Sequence, residues 1–63
     1  MTEYRCYLID AVGAIRHAEL IIAADDAHAV TVARRCLSEH SEFNGLELWQ
    51  SRRRVHLEIR EKV

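Results

Sequence analysis

The chain has 63 residues and a formal net charge of −1, with nine Lys and Arg against ten Asp and Glu. A chain this short buries only about 60% of the surface its unfolded form exposes, so residues 1-63 are read as one small domain with a thin core. The near balance of charge excludes the broad electrostatic attraction used in sequence-independent nucleic-acid binding, and no apolar run reaches the ~20 residues of a membrane-spanning helix.

In chain order, Tyr4 to Ile9 (YRCYLI) is rich in strand-forming residues and ends at a turn, Asp10 to Gly13. Ala14 to Ala23 (AIRHAELIIA) reads as a second strand, and the two close a β-hairpin. Alternation puts Tyr4, Cys6 and Leu8 on one face of the first strand and Arg5, Tyr7 and Ile9 on the other, with the arginine marking the outward side. In the second strand Ala18, Leu20 and Ile22 are the expected inward set. Ile15 is out of step with them, and a bulge near Arg16 or His17 would restore the phase.

Asp25 to His40 (DDAHAVTVARRCLSEH) carries a helical period. At 100° per residue Ala29, Val30, Ala33, Cys36, Leu37 and His40 share one side, and His28, Thr31, Arg35, Ser38 and Glu39 the other. Asp25 and Asp26 are expected to cap its amides, and His40 to complement its C-terminal dipole. Phe43 should plug the end of the core, and Asn44-Gly45 should supply the positive φ that reverses the chain.

Leu46 to Gln50 (LELWQ) is the third strand, with Leu46 and Leu48 toward the helix and Glu47 and Trp49 on the side of Arg5 and Tyr7. From Arg53 the chain alternates Val55, Leu57 and Ile59 against Arg54, His56, Glu58 and Arg60, a fourth strand hairpinned through Gln50 to Arg52 and frayed from Glu61 to Val63. The expected fold is therefore α+β: ββαββ, an antiparallel-rich mixed sheet in the order 2-1-3-4, with one helix on one face and a right-handed crossover.

The pattern Tyr4-Arg5-x-Tyr7-Leu8-x-Asp10-x-x-Gly13-x-Ile15, then Ala24-Asp25-Asp26-x-x-Ala29, then Glu47-Leu48-Trp49 with Arg53 and Val55, resembles a group of short bacterial proteins that carry no assigned activity. The resemblance implies a fold and brings no catalytic residue, cofactor or substrate. The hairpin-then-helix order is also similar, in architecture alone, to antitoxin proteins built on a truncated ribonuclease-H-like sheet.

One helix covers one side of four strands, so the other side should expose Arg5, Tyr7, Ile9, Glu47 and Trp49. The expected use of that surface is self-association, a homodimer or a further protein partner, with Tyr7, Ile9 and Trp49 as anchors and Arg5 and Glu47 as a flanking ion pair. Pairing along the edge of the fourth strand is another route. The alternative is a single-stranded RNA or DNA module in which Tyr7 and Trp49 stack bases and Arg52, Arg53 and Arg54 hold phosphates. The arginine run reads more readily as a solvated turn neutralised by Glu47, Glu58 and Glu61.

No metal ligand set is expected, since His17, His28, His40, His56 and the two cysteines lack C-x-x-C or H-x(3-5)-H spacing, and Cys6, Cys36 and His40 would make an incomplete one. His28 and His56 read as surface residues. No catalytic residue or cofactor is expected either: Cys36 and His40 form an i,i+4 pair, but that thiol sits near the negative helix end, and Gly13 and Gly45 are isolated rather than part of a phosphate loop. MTEYRC has no basic n-region or apolar h-region, so the expected location is the cytoplasm, where both cysteines remain thiols.

Overall fold

A computed structural model describes residues 1–60. Four strands and one helix follow in the order β1 (Thr2–Ile9), β2 (Ile15–Ala23), α1 (Asp26–Ser38), β3 (Gly45–Gln50) and β4 (Arg53–Ile59). The sheet order is β2-β1-β3-β4, the order expected from the sequence. Each neighbouring pair is antiparallel; β2 and β3 share a direction but are separated by β1. The expected fraying at Glu61 to Val63 lies outside the described residues.

The β1–β2 turn is organised by Asp10. Its Oδ1 accepts from the amides of Val12 and Ala14, both at 3.0 Å, and its Oδ2 accepts from Arg16 Nε at 2.8 Å. Gly13 takes φ +86°, a conformation that costs glycine little. Arg16 is then left unpaired in the register, because Leu8 faces His17 and Ile9 faces Ile15. The bulge expected near Arg16 or His17 is therefore present, and it brings Ile15 into phase with Ala18, Leu20 and Ile22.

The core lies between the inner strands and the helix. Tyr4, Cys6 and Leu8 of β1, Leu46 and Leu48 of β3, and Ala29, Ala33 and Leu37 of α1 are all buried, with Phe43 closing one end. Small residues at Ala29 and Ala33 let the helix backbone approach the sheet. Val30 and Cys36, on the same side, are half-buried, while His28, Thr31, Arg35, Ser38 and Glu39 face solvent.

The inward face expected for β2 is wrong. Leu20 and Ile22 are 54% and 47% exposed, whereas Ile21 and Ala23 are buried against the helix. Register makes the reason plain: Leu20 pairs with outward Arg5, and Ile21 with inward Tyr4. The fourth strand does the same thing, placing Leu57 opposite Glu47 and Ile59 opposite Gly45 on the side away from the helix.

Both helix ends are closed by side chains. Asp25 Oδ1 accepts from the amide of His28 at 2.9 Å, and His28 Nδ1 accepts in turn from the amide of Ala24 at 3.3 Å. Asp26 is not a second cap: it binds the Arg53 guanidinium through both oxygens at 2.9 and 3.1 Å and accepts from the Tyr4 hydroxyl at 2.8 Å, tying β1, α1 and β4 together. At the other end the expected dipole partner, His40, is replaced by Arg60, whose Nη2 donates to the carbonyls of Leu37, His40 and Phe43 at 3.1, 3.2 and 2.6 Å. The two N–H bonds of that one nitrogen are shared among three carbonyls, two of which also accept from the amides of His40 and Phe43, and the positive charge sits where the helix dipole is negative.

Asn44-Gly45 does not supply a positive φ. Among the described residues the non-glycine example is Ser51, at φ 55° in the two-residue β3–β4 turn. Gly45 is needed for close approach instead, since a Cβ there would lie 2.5 Å from the Glu58 carbonyl oxygen and 2.8 Å from the Ile59 Cδ1.

Candidate functional site

The surface that β1 and β3 turn away from the helix is the candidate site. β1 contributes Glu3, Arg5, Tyr7 and Ile9, and β3 contributes Glu47 and Trp49; Arg5 pairs across with Trp49, and Tyr7 with Glu47. The edge strands add Ile15, Leu20 and Ile22 from β2 and Leu57 and Ile59 from β4, each between 45% and 58% exposed. Of the seven large hydrophobic side chains that are exposed among the described residues, these five stand on this one face.

All five expected interaction residues, Arg5, Tyr7, Ile9, Glu47 and Trp49, fall on it, but not in the expected roles. Arg5 and Glu47 are not register partners and form no ion pair; Glu47 Oε1 accepts from Trp49 Nε1 at 2.9 Å. That bond ties the indole to its own strand. Ile9 is only 8% exposed and belongs to no part of the core under the helix, because Ile15 on one side and Gly45 with Ile59 on the other flank it. It is the base of a small apolar layer rather than an anchor. A concavity of about 400 Å³ runs beside Arg5, Tyr7, Leu20 and Trp49.

Alternation identifies two faces for each strand but does not assign them to inside and outside. The missed residues, Leu20, Ile22, Leu57 and Ile59, carry a signal that was available in combination. A helix with side chains is about 10 Å wide and strands are about 4.8 Å apart, so one helix shields the inner strands and leaves the outer pair at its margins. At those margins β2 turns His17 and Glu19, and β4 turns His56 and Glu58, to the helix side. Arg34 of the helix reaches Glu58 at 2.7 Å, and His56 meets the same carboxylate at 2.9 Å; His56 and then Arg34 hold Glu58 below the usual carboxylate range.

The arginine run is divided by the hairpin. Arg53 is engaged by Asp26 and by Gln50 Oε1 at 2.9 Å, while Arg54 lies opposite Trp49 on the open face. The partner of the run is thus Asp26, and its hydrogen bond to Arg53, then that to Tyr4, holds the Asp26 carboxyl below its usual range. Glu61, expected to help neutralise the run, lies outside the described residues.

The cysteines are free. Burial pushes the Cys6 thiol up to about 12, and burial followed by the Glu19 charge also raises Cys36, the opposite of what an activated nucleophile requires. Cys6, Cys36 and His40 do not converge as ligands. The histidine and carboxylate group that does form among the described residues is His17, Glu19 and His40. No helix among those residues is long and apolar enough to cross a membrane. Comparison with protein-family models, curated proteins and solved structures returned no match to this chain.

Proposed function

We propose that this protein acts by association rather than by catalysis, as a homodimer whose two copies pack open sheet face against open sheet face. The observation that supports this reading is the inversion of the edge strands, which places Ile15, Leu20, Ile22, Leu57 and Ile59 on the face that α1 leaves bare. Five half-exposed aliphatic side chains from each copy, at about 1 kcal/mol apiece, offer about 10 kcal/mol gross on burial. Association costs about 4–15 kcal/mol in lost freedom, so Tyr7 and Trp49 are needed for the balance and a micromolar affinity is expected.

A second copy fits better than an unlike partner because the face is close to self-complementary in charge, with Glu3 and Glu47 against Arg5 and Arg54. A standard interface of about 800 Å² per partner would cover about a fifth of the 4373 Å² surface. The edges are poorer routes. The bulge at Arg16 blunts β2, and the register shift that leaves Val55 unpaired, together with the arginine turn, blunts β4. A cytoplasmic setting, in which free thiols persist, accords with Cys6 and Cys36.

Sedimentation equilibrium of the wild type and of Leu20→Asp/Leu57→Asp tests the proposal. Both leucines are about half exposed in the single chain, so the variant should keep its circular dichroism. The wild type is expected to approach twice the chain mass at tens of micromolar and the variant to stay monomeric. A wild type monomeric throughout, or a variant that still dimerises, overturns the reading. Salt-dependent binding of mixed single-stranded oligonucleotides by the monomer would replace it with the nucleic-acid alternative, against which the engagement of Arg53 by Asp26 weighs.

A further inference from the structure

We infer that His17, Glu19 and His40 form a binding site for one divalent transition-metal ion of the zinc class. His17 and Glu19 are two apart on β2 and so point to the same side of the sheet, the side of the helix, at an edge where β1 presents Cys6 and Leu8. His40 arrives from the segment after α1, held by its amide, which donates to the Leu37 carbonyl at 3.1 Å, and by its own carbonyl, which Arg60 engages. Ligand-capable atoms of the three residues all lie within 4.8 Å of one another, and all three residues are half-buried.

Two imidazoles and a carboxylate are a zinc-type donor set, with three protein ligands and a fourth position left for water or a substrate. Donor atoms on a tetrahedral ion with bonds of about 2.0–2.1 Å stand about 3.3 Å apart, so small rotations of these side chains suffice. The His17 Nε2 to Glu19 Oε1 contact, at 2.8 Å, is closer than that spacing, and an ion entering between the two replaces it.

A second observation favours a built site over a chance surface pair. The rings of His17 and His40 lie 5.5 Å apart, and both pack on Phe43, at 6.3 and 5.9 Å between centroids. Phe43 is itself buried and packs against both imidazole rings, which limits their rotation. The ion would join the edge strand β2 to the end of α1, a staple of the kind small domains recruit. The site is on the helix side of the sheet, so it stands or falls independently of dimerisation through the open face.

The test is calorimetric titration of the full chain with zinc chloride, repeated for His17→Gln, Glu19→Gln and His40→Gln. Visible absorption of the cobalt(II) form serves as a second readout, and circular dichroism checks that each variant is folded. The expected result is one ion per chain, affinity lowered tenfold or more in each folded variant, tetrahedral-type cobalt bands, and a thermal midpoint raised by zinc in the wild type only. Absence of binding to the wild type overturns the inference, and so does binding that survives all three substitutions.

Discussion

The inner and outer strands of this sheet obey the same alternation and use it in opposite ways. β1 and β3 send Tyr4, Cys6, Leu8, Leu46 and Leu48 under the helix and leave Arg5, Tyr7, Glu47 and Trp49 outside. Toward one end β2 and β4 send His17, Glu19, His56 and Glu58 to the helix side and keep Leu20, Ile22, Leu57 and Ile59 on the open face. The difference follows from width. One helix can dehydrate only the strands beneath it, so polar groups at the margins of the helix layer stay solvated and pair with one another, as Glu58 does with Arg34. Ile21 and Ala23 of β2 reach the helix, but the apolar residues that the edge strands turn to the open face gain burial only if something else covers it.

The sharpest break of the comparison is a pair of truncations. Leu48→Ala removes a fully buried side chain and should lower stability by about 2–5 kcal/mol in urea titration. Leu57→Ala, measured at concentrations where the chain is monomeric, should cost less than about 1 kcal/mol, because much of that side chain is already in water. Equal losses would mean that the open face is as well buried in the single chain as the face under the helix, contrary to the account. Gly45→Ala tests the point where the faces meet, since the new Cβ would press on the Glu58 carbonyl and the Ile59 side chain; about 1–3 kcal/mol of destabilisation is expected. Arg60→Ala removes the cation that bonds the Leu37, His40 and Phe43 carbonyls, of which the first two keep a backbone amide donor, and should cost about 1–2 kcal/mol, read as the same shift of the urea midpoint.

The smallest effects are in the pH profile. Cys6 is held protonated by burial up to about 12, while an unfolded thiol ionises near 8.5. The unfolded chain therefore loses its proton first, and stability falls as pH rises from about 9 toward 12; Cys6→Ala should flatten that alkaline limb in thermal melts. In acid the sign reverses. Hydrogen bonding to Arg16 depresses the Asp10 carboxyl, as Arg53 does for Asp26 and His56 for Glu58, so their stabilisation is present above the ordinary carboxylate range and is lost as pH falls through the lowered values. Asp10→Asn should make the acid limb shallower.

Much of this fold was legible because its signals are local. The α1 period, the Asp25 cap, the Asp10 to Gly13 turn and the bulge at Arg16 are each written within a few residues, and the rules for chain connections then narrow the strand orders to a few. The faces of the outer strands were not legible from alternation, which is symmetric between inside and outside until the width of the covering layer is considered. Arg60 on the helix end, Arg53 on Asp26, and the gathering of His17, Glu19 and His40 join positions about twenty or more apart in sequence, and no spacing rule connects them before the chain has folded. Of the open face, Arg5, Tyr7, Glu47 and Trp49 were legible, and its aliphatic margins were not.

The central claim is that a second copy covers the open face, and isotope-filtered nuclear Overhauser spectroscopy on a mixture of labelled and unlabelled chains tests it most directly. The account predicts intermolecular contacts from the methyls of Ile15, Leu20, Ile22, Leu57 and Ile59 to one another and to the rings of Tyr7 and Trp49. Intermolecular contacts confined to the backbone of β4 or to the outer side of α1, with the open-face methyls seeing only their own chain, would contradict it.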